Sequence, residues 1–552
     1  MAMATEGRVP RPGLCAALLA LVLTGNAEAQ LAPDSAPSSG ATTYGTAPSG
    51  APAASSTSTS ANASASTQRK GGWQIVPSIE LRGTITDNVD QAPSGKQRSD
   101  FITEIIPGIS IDGQGAHAKL HLDYRMDNLI YARDSSRNEL QNYLNASGTL
   151  EAIENFFYVD ARANIDQEAI SAFGARPSNP TTVSNNRTET RTYQVSPYFQ
   201  GRLAGATDYL LRYDYNDQHT TSDVAGDSQV GQATARLNGP TRLNALTWMV
   251  EAIALRTDYS QGRDTEDNRA RAVLTYAFDP QFRVNATGGY ERANYITLDM
   301  TGNSTYGGGF DWAPTPRTKL HADWERRFFG DSWDYRFSHY LSRVSMAISD
   351  TRNVTTDAQN RVGSPGYTAA YDLLFAALAS SIPDPIDRGN EVQQILRGGS
   401  VPAGLALPSN FVIGSSYVER LQQASIAFLG VRNTVTLSVY RNAKDILGLG
   451  QDVAVTPGVN QNTLEWGAGA VYSHRLTGLT TFNAAGTWRR TESTSGPEMA
   501  SRQFDGRIGL ASQFGPRTTG GLEYRYTRFD GDGATTNDYR ENSVFASLLF
   551  RF

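Results

Sequence analysis

The sequence predicts an all-β protein: a single-chain antiparallel transmembrane β-barrel of about 22 strands, with a long partly helical outer loop. Three observations predict this fold class. Apolar and polar residues alternate from Trp73 onward, short turns alternate with longer polar loops, and the chain ends on an aromatic residue after a strictly alternating segment. A period of two is that of a β-strand with two chemically different faces.

The first 29 residues have the pattern of a secretory signal peptide. Arg8 and Arg11 form a basic start, residues 14–25 form an apolar run, and residues 27–29 (AEA) fit a small-x-small cleavage site. The apolar run is too short to cross a membrane comfortably. We therefore expect export through a cleaved signal peptide and location in the outer membrane.

Residues 30–72 consist almost entirely of Ala, Ser, Thr, Pro and Gly. Such a segment cannot bury enough apolar surface to offset the entropy lost on ordering. It is predicted to be a disordered periplasmic segment, either a plain linker or a tether to the cell wall. The barrel is then expected to occupy residues 73–552.

Composition excludes several kinds of site. Cys15, which lies inside the predicted signal peptide, is the single cysteine, and the chain has 6 histidines. A disulfide framework and a structural zinc site are therefore not expected. We expect no cofactor and no nucleic-acid partner. Gly330-Asp331-Ser332 lacks the strand-turn-helix context of a serine-hydrolase motif and has no glycine after the serine, so an enzyme is not expected either.

The stretch AHAKLHLDYRMD (residues 116–127) illustrates the two strand faces. Small or apolar residues occupy the even positions, and charged or basic residues occupy the odd positions. Across the chain the apolar faces are rich in Ala, Gly, Tyr and Trp, which suits lipid contact and aromatic girdles better than a dry core. The polar faces are therefore assigned to the lumen. The lumen-facing candidates are Lys119, Asp123, Arg125, Lys319, Asp323, Glu325, Arg327 and Arg507.

These lumen charges have two interpretations. They could form interstrand ion pairs that stiffen the wall, or they could line a conduit for a neutral or anionic sugar polymer. The balance of positive and negative residues does not decide between the two.

The longest interruption of the strand pattern is residues 351–415. Its candidate gate residues, Tyr371, Leu374, Phe375 and Leu378, recur at helical spacing. Three placements are considered: packing on the barrel rim, folding inward as a constriction or plug, and outward display to a partner. We favour inward folding, because a wide unobstructed pore would leak small solutes.

Several segments resemble an outer-membrane barrel family associated with PEP-CTERM/exosortase systems. They include WQIVPSIELRGTITDNVD, SDFITEIIPGISIDGQG, GGGFDWAPTPRTKLHADWERRFFGDSW and FLGVRNTVTLSVYR. The resemblance extends over nearly all of residues 73–552. It implies a barrel that serves exopolysaccharide export or surface-protein sorting as conduit or scaffold, with components of those systems as partners. The alternatives are a general or gated porin for small solutes and a structural adhesin-like barrel.

The final strand, ENSVFASLLFRF, places Val544, Leu548, Phe550 and Phe552 on one face. This resembles the C-terminal signal that the barrel assembly machinery reads on outer-membrane proteins. Outer-membrane lipid and that machinery are therefore the expected partners.

We predict that deletion of Phe552 lowers the yield of folded barrel far more than deletion of a loop segment does. Heat-modifiable gel mobility measures the folded fraction, and an unchanged folded yield without Phe552 would contradict the assignment.

Overall fold

The computed structural model describes residues 72–176, 180–203, 206–222, 226–243, 245–356, 359, 411–448, 461–532 and 538–552. The predicted signal peptide, the predicted tether and the four candidate gate residues lie outside these ranges, as does nearly all of the predicted helical loop. In the described part of the chain, no helix is long and apolar enough to span a membrane.

Twenty-two antiparallel strands form one sheet, in which each strand pairs with its neighbours in the chain. The strands are Trp73–Thr86 (β1), Asp100–Gln114 (β2), Ala118–Tyr131 (β3), Glu139–Ile153 (β4), Phe157–Glu168 (β5), Thr188–Leu203 (β6), Thr207–Thr220 (β7), Ser228–Pro240 (β8), Leu246–Tyr259 (β9), Thr265–Ala277 (β10), Phe282–Ala293 (β11), Thr301–Thr315 (β12), Thr318–Arg327 (β13), Gly330–Tyr340 (β14), Val344–Thr355 (β15), Tyr417–Leu429 (β16), Asn433–Ile446 (β17), Thr463–Arg475 (β18), Thr480–Ser493 (β19), Ala500–Gly515 (β20), Thr518–Asp532 (β21) and Tyr539–Arg551 (β22). A short 3-10 helix, Ser135–Arg137, lies between β3 and β4.

The sheet closes on itself because β1 also pairs with β22, from Ser78 opposite Arg551 to Thr86 opposite Ser543. The predicted fold class and strand number are therefore confirmed. Closure gives both outermost strands a partner, so that the backbone N–H and C=O groups of the wall are satisfied within the sheet.

Connections at the two ends of the barrel differ in length. At one end the turns are short, such as residues 115–117, 316–317 and 516–517, whereas the other end carries the long connections 169–187 and 356–416. Transmembrane barrels have short periplasmic turns and longer extracellular loops. The short-turn end, where β1 begins and β22 ends, is therefore periplasmic.

Side chains alternate between an apolar outer surface and a polar interior. Exposed aliphatic residues on the outward parity include Val250, Leu274, Ile348, Leu437 and Val439. Outward aromatic residues flank this belt at both ends. Those nearer the periplasm include Phe199, Phe278, Trp312, Phe428, Tyr472 and Phe514, and those nearer the exterior include Tyr213, Tyr290, Tyr306, Tyr335, Trp466 and Trp488. An apolar belt between two aromatic girdles is the outer surface of a membrane-spanning barrel.

The assignment of faces can be tested at the middle of β4, where Ala146 faces outward and the adjacent Asn145 faces the interior opposite Asp123. Ala146→Arg places a charge in the lipid belt and should cost about 2–4 kcal/mol of stability. Asn145→Arg, the matched control, places the same side chain in the polar interior beside a carboxylate and should be tolerated. Denaturant titration of barrels refolded into bilayers measures both changes, and equal losses would refute the assigned faces.

Candidate functional site: the barrel interior

Several of the lumen-facing candidates contact other interior side chains. On β3, the Asp123 carboxylate lies 2.7 Å from His121 Nε2, and the Arg125 guanidinium stacks 4.1 Å from the centre of the Tyr143 ring. On β13, Asp323 accepts a 2.7 Å hydrogen bond from Asn285. The first contact lies within β3, the second joins β3 to β4, and the third joins β13 to β11 across β12.

The remaining candidates differ in exposure. Lys119 and Lys319 are exposed near the periplasmic ends of β3 and β13, whereas Arg507 is half-buried on β20 opposite Arg525. Glu325 lies 3.8 Å from the nearest nitrogen of Arg271. The positive and negative residues are thus spread over the full height of the interior.

Charged side chains in the interior form small networks, in which one arginine contacts two carboxylates. Arg82 donates to Glu80 at 2.8 Å and to Glu104 at 2.9 Å. Arg327 donates in the same way to Glu291 at 3.0 Å and to Asp267 at 3.3 Å. This is the arrangement expected of ion-pair ladders that stiffen the wall.

The extracellular half of the interior is occupied by an inner segment, the described residues 169–176 and 180–187 of the connection from β5 to β6. Phe173 is 1% exposed and Arg176 is 9% exposed, so this connection folds into the barrel instead of standing in solvent. Arg176 donates from Nη1 to Glu465 at 3.2 Å, and its backbone carbonyl accepts a 2.7 Å bond from Gln503. Glu465 and Gln503 belong to β18 and β20, so the inner segment crosses the lumen.

The environment of Arg176 is tightly packed. Burial lowers the pKa of its guanidinium below the ordinary value, and the nearby Glu465 carboxylate opposes that shift. The adjoining cavity, lined in part by Gly174, Arg489 and Gln503, has a volume of about 10 Å³, enough for about one water molecule. Among the described residues, the inner segment therefore packs closely against the wall at this point.

A second part of the inner segment packs against β22, the β1–β2 connection and β3, which follow β18–β20 around the ring. The Tyr131 hydroxyl donates to the Thr181 carbonyl at 2.8 Å, and the Val183 N–H donates to the Val89 carbonyl at 3.0 Å. The Thr182 hydroxyl donates a 3.3 Å hydrogen bond to the Glu541 carboxylate of β22. The inner segment is thus held along one arc of the wall, from β18 through the β22–β1 closure to β3.

Residues 411–416, the re-entry segment, complete the closure. Phe411 forms a parallel bridge with Ala169, and the Val412 N–H donates to the Ala169 carbonyl at 3.1 Å. The Ser416 hydroxyl lies 3.1 Å from that of Tyr259 on β9. A side chain at Gly262 would approach the Gly414 carbonyl oxygen to 3.0 Å, so glycine permits the close contact. The buried cluster at this junction comprises Ala169, Ala172, Phe173, Phe411, Ile413, Tyr417 and Ile446.

The periplasmic half of the interior is more open and carries an aromatic and polar surface, here called the vestibule patch. The rings of Tyr158 and Tyr198 stack with centroids 5.1 Å apart, and both residues are half-buried. Arg212 lies 5.0 Å from the Tyr198 ring and donates to Asp160 at 2.9 Å. Stacked aromatic faces beside hydrogen-bonding groups can hold rings that have an apolar face and a polar edge.

The assembly-signal candidates lie on β22. Val544 is exposed on the outer face, Leu548 and Phe550 share its parity, and Phe552, just beyond the strand, is exposed.

The inner segment was not identified as an interior element from the sequence, where it is one of the polar loops. Its signal is an apolar pair, Ala172-Phe173, in a connection otherwise suited to water.

No family model and no curated protein sequence matches the chain. Among solved structures, the chain is similar to the siderophore receptor PirA from Acinetobacter baumannii, at 9% identity and a TM-score of 0.46 over 88% of this chain and 81% of that one. The FrpB iron transporter from Neisseria meningitidis aligns at 7% identity and a TM-score of 0.46, over 86% and 81%. OccK3 (OpdO) from Pseudomonas aeruginosa aligns at 10% identity and a TM-score of 0.31, over 87% and 96%.

The interior networks predict a large difference between buried and exposed ion pairs. Glu251, whose side chain is 1% exposed, accepts from Arg236 at 2.8 Å and from Arg271 at 2.9 Å. Glu251→Ala leaves two guanidinium groups without their shared anion and should cost about 3–5 kcal/mol. The control Asp258→Ala removes the exposed partner of Arg256 and should cost under about 1 kcal/mol. Chemical denaturation of the purified barrel compares the two, and similar midpoints would contradict the structural role.

Proposed function

We propose that the chain is a gated conduit of the outer membrane, closed at its extracellular end in this conformation. The observation that carries the proposal is the asymmetry of the interior. Among the described residues, its extracellular half is filled by the inner and re-entry segments, whereas its periplasmic half is open and polar. Barrels of 22 strands are wide enough to need such a plug.

The closing segments are connections between strands, which suits a movable gate. The wall is held by continuous strand pairing, whereas the inner segment is held by a limited set of side-chain and backbone contacts, notably those of Arg176 and Thr182. Loss of these contacts would leave the closed strand ladder unchanged. The gate can therefore open without unfolding the barrel.

We further propose sugar polymers as the cargo, in an exopolysaccharide or PEP-CTERM surface-sorting system. The support for this cargo is the vestibule patch, where Tyr158, Tyr198 and Arg212 offer stacking surface and Asp160 offers hydrogen bonds. The link to the sorting system is supported by the sequence resemblance. A gated porin for small solutes is the alternative that the same closure favours.

Single-channel recording in planar bilayers tests the gate. Arg176→Ala removes the bond to Glu465, a contact worth about 1–3 kcal/mol for a charged pair, which raises the ratio of open to closed states by roughly 5- to 150-fold. We expect a small closed-state conductance in the wild type and frequent large openings in the variant. Arg256 is exposed and forms an ion pair with Asp258, so Arg256→Ala serves as the control and should leave gating unchanged.

A cysteine lock provides the converse experiment, because Cys15 is the chain's only cysteine and falls in the predicted signal peptide. Ala169→Cys with Phe411→Cys joins the two closing segments at their bridged positions. When oxidised, this variant should suppress the openings produced by Arg176→Ala, and a reductant should restore them. Large openings that persist under oxidation would show that these segments are not the gate.

The same recordings distinguish the two kinds of cargo. In an opened channel, oligosaccharides added on the periplasmic side should block the current for longer than polyethylene glycol of equal size. Tyr198→Ala should shorten those blocks, while Phe199→Ala, on the outer face, should not. Equal blocking by sugar and polyethylene glycol would favour the small-solute porin.

A further inference from the structure

A cluster of charged side chains occupies the outer wall of β15–β17, on the face that otherwise meets lipid. Asp350 and Arg352 share the outward parity of Ile348, which is 53% exposed, and Arg441 shares that of Val439, also 53% exposed. Strand pairing sets Asp350 opposite Gln422, Arg352 opposite Arg420, and Gln422 opposite Arg441. We call Asp350, Arg352, Arg420, Gln422 and Arg441 the outer-wall cluster.

The single carboxylate of this cluster is already saturated with donors. Asp350 accepts from Arg420 at 2.8 Å, from Gln422 at 2.8 Å and from the Trp333 indole at 2.8 Å. Its charge is therefore committed to holding three neighbouring strands together. It has little capacity left to neutralise further cations.

Two of the three guanidinium groups have no such anion. Among the described residues, neither Arg352 nor Arg441 forms a direct ion pair, although the Asp445 and Asp331 carboxylates act on Arg352 from farther away. Arg352 donates to the Asp331 backbone carbonyl, and Arg441 donates to Gln422 at 3.1 Å. Arg352 lies over the Phe329 and Trp333 rings at 5.1 and 5.5 Å, and Arg441 lies 5.2 Å from the Trp466 ring. Aromatic faces attract cations but do not cancel their charge.

The height of the cluster identifies the surroundings. Tyr335 pairs directly with Asp350 and Trp466 pairs directly with Arg441, so the cluster lies in the extracellular aromatic girdle. Girdle residues sit at the level of the lipid headgroups. Asp445, the next acidic residue of β17 on this face, lies farther toward the exterior and acts on Arg352 electrostatically. Three arginines therefore face two carboxylates, and this excess of positive charge favours an anion from the headgroup layer.

We propose that the outer-wall cluster binds the bisphosphorylated sugar headgroup of an outer-leaflet lipopolysaccharide. Arginine binds phosphate with two parallel hydrogen bonds. Arg352 and Arg441 stand two strands apart and are offset by two residues along the strands, which separates them by roughly 12 Å at the usual spacings and suits two phosphates on one disaccharide. The exposed Ile348 and Val439 side chains below them offer a surface for the acyl chains.

Native mass spectrometry of the purified barrel, titrated with defined lipids, tests the proposal. The wild-type protein should bind bisphosphorylated lipid A at least about tenfold more tightly than monophosphorylated lipid A or phosphatidylglycerol. Arg352→Gln with Arg441→Gln should remove this preference. The matched control, Arg256→Gln with Arg528→Gln, alters outward arginines that already have carboxylate partners, and it should retain the preference.

Each outcome decides the matter. Equal binding of the three lipids by the wild type would overturn the proposal without any variant, so a failure of the double variant to fold does not protect it. An unchanged lipid preference in a folded double variant would overturn it as well. Gating experiments are independent of both results, because the outer-wall cluster does not touch the inner segment.

Discussion

The pairing of β1 with β22 is the interaction on which the rest of the structure depends. It sets Thr86 opposite Ser543, and the Thr86 hydroxyl also donates a 2.8 Å hydrogen bond to Glu541, which is 455 positions away in the sequence. In lipid an unpaired strand edge would leave backbone groups with no water to satisfy them. The wall is therefore stable only as a complete ring, and each strand acquires its inner and outer face from that closure.

Closure at 22 strands creates a second constraint, because the ring encloses more space than the wall's own side chains can fill. The chain fills the extracellular half with material from its connections: Phe173 and Arg176 enter from one side, and Phe411 and Ile413 enter from another. Ion-pair networks such as that of Arg82 fill the remaining space against the wall. The periplasmic half receives no such filling among the described residues, so the two ends of the lumen differ.

The sequence was sufficient for the wall but not for its contents. Two-residue alternation is a local property, so the strands, their faces and the interior position of Asp323 and Arg327 could be predicted from spacing alone. The contact between Arg176 and Glu465 could not, because it joins residues 289 positions apart and has no periodic signal. The outward position of Asp350 and Arg352 is likewise an exception to alternation, visible only when neighbouring strands are in register.

The interior ion pairs have a consequence for permeation. Arg212 lies between Asp160 and Asp214, at 2.9 and 2.8 Å, so that positive and negative charge are interleaved at the spacing of single bonds. The fields of such closely spaced opposite charges partly cancel within a few ångströms. Dissolved ions at physiological ionic strength screen what remains. A molecule in the lumen would meet a wall rich in polar contacts but nearly without long-range potential. Discrimination there would depend on shape and hydrogen bonding, with anions and cations treated nearly alike.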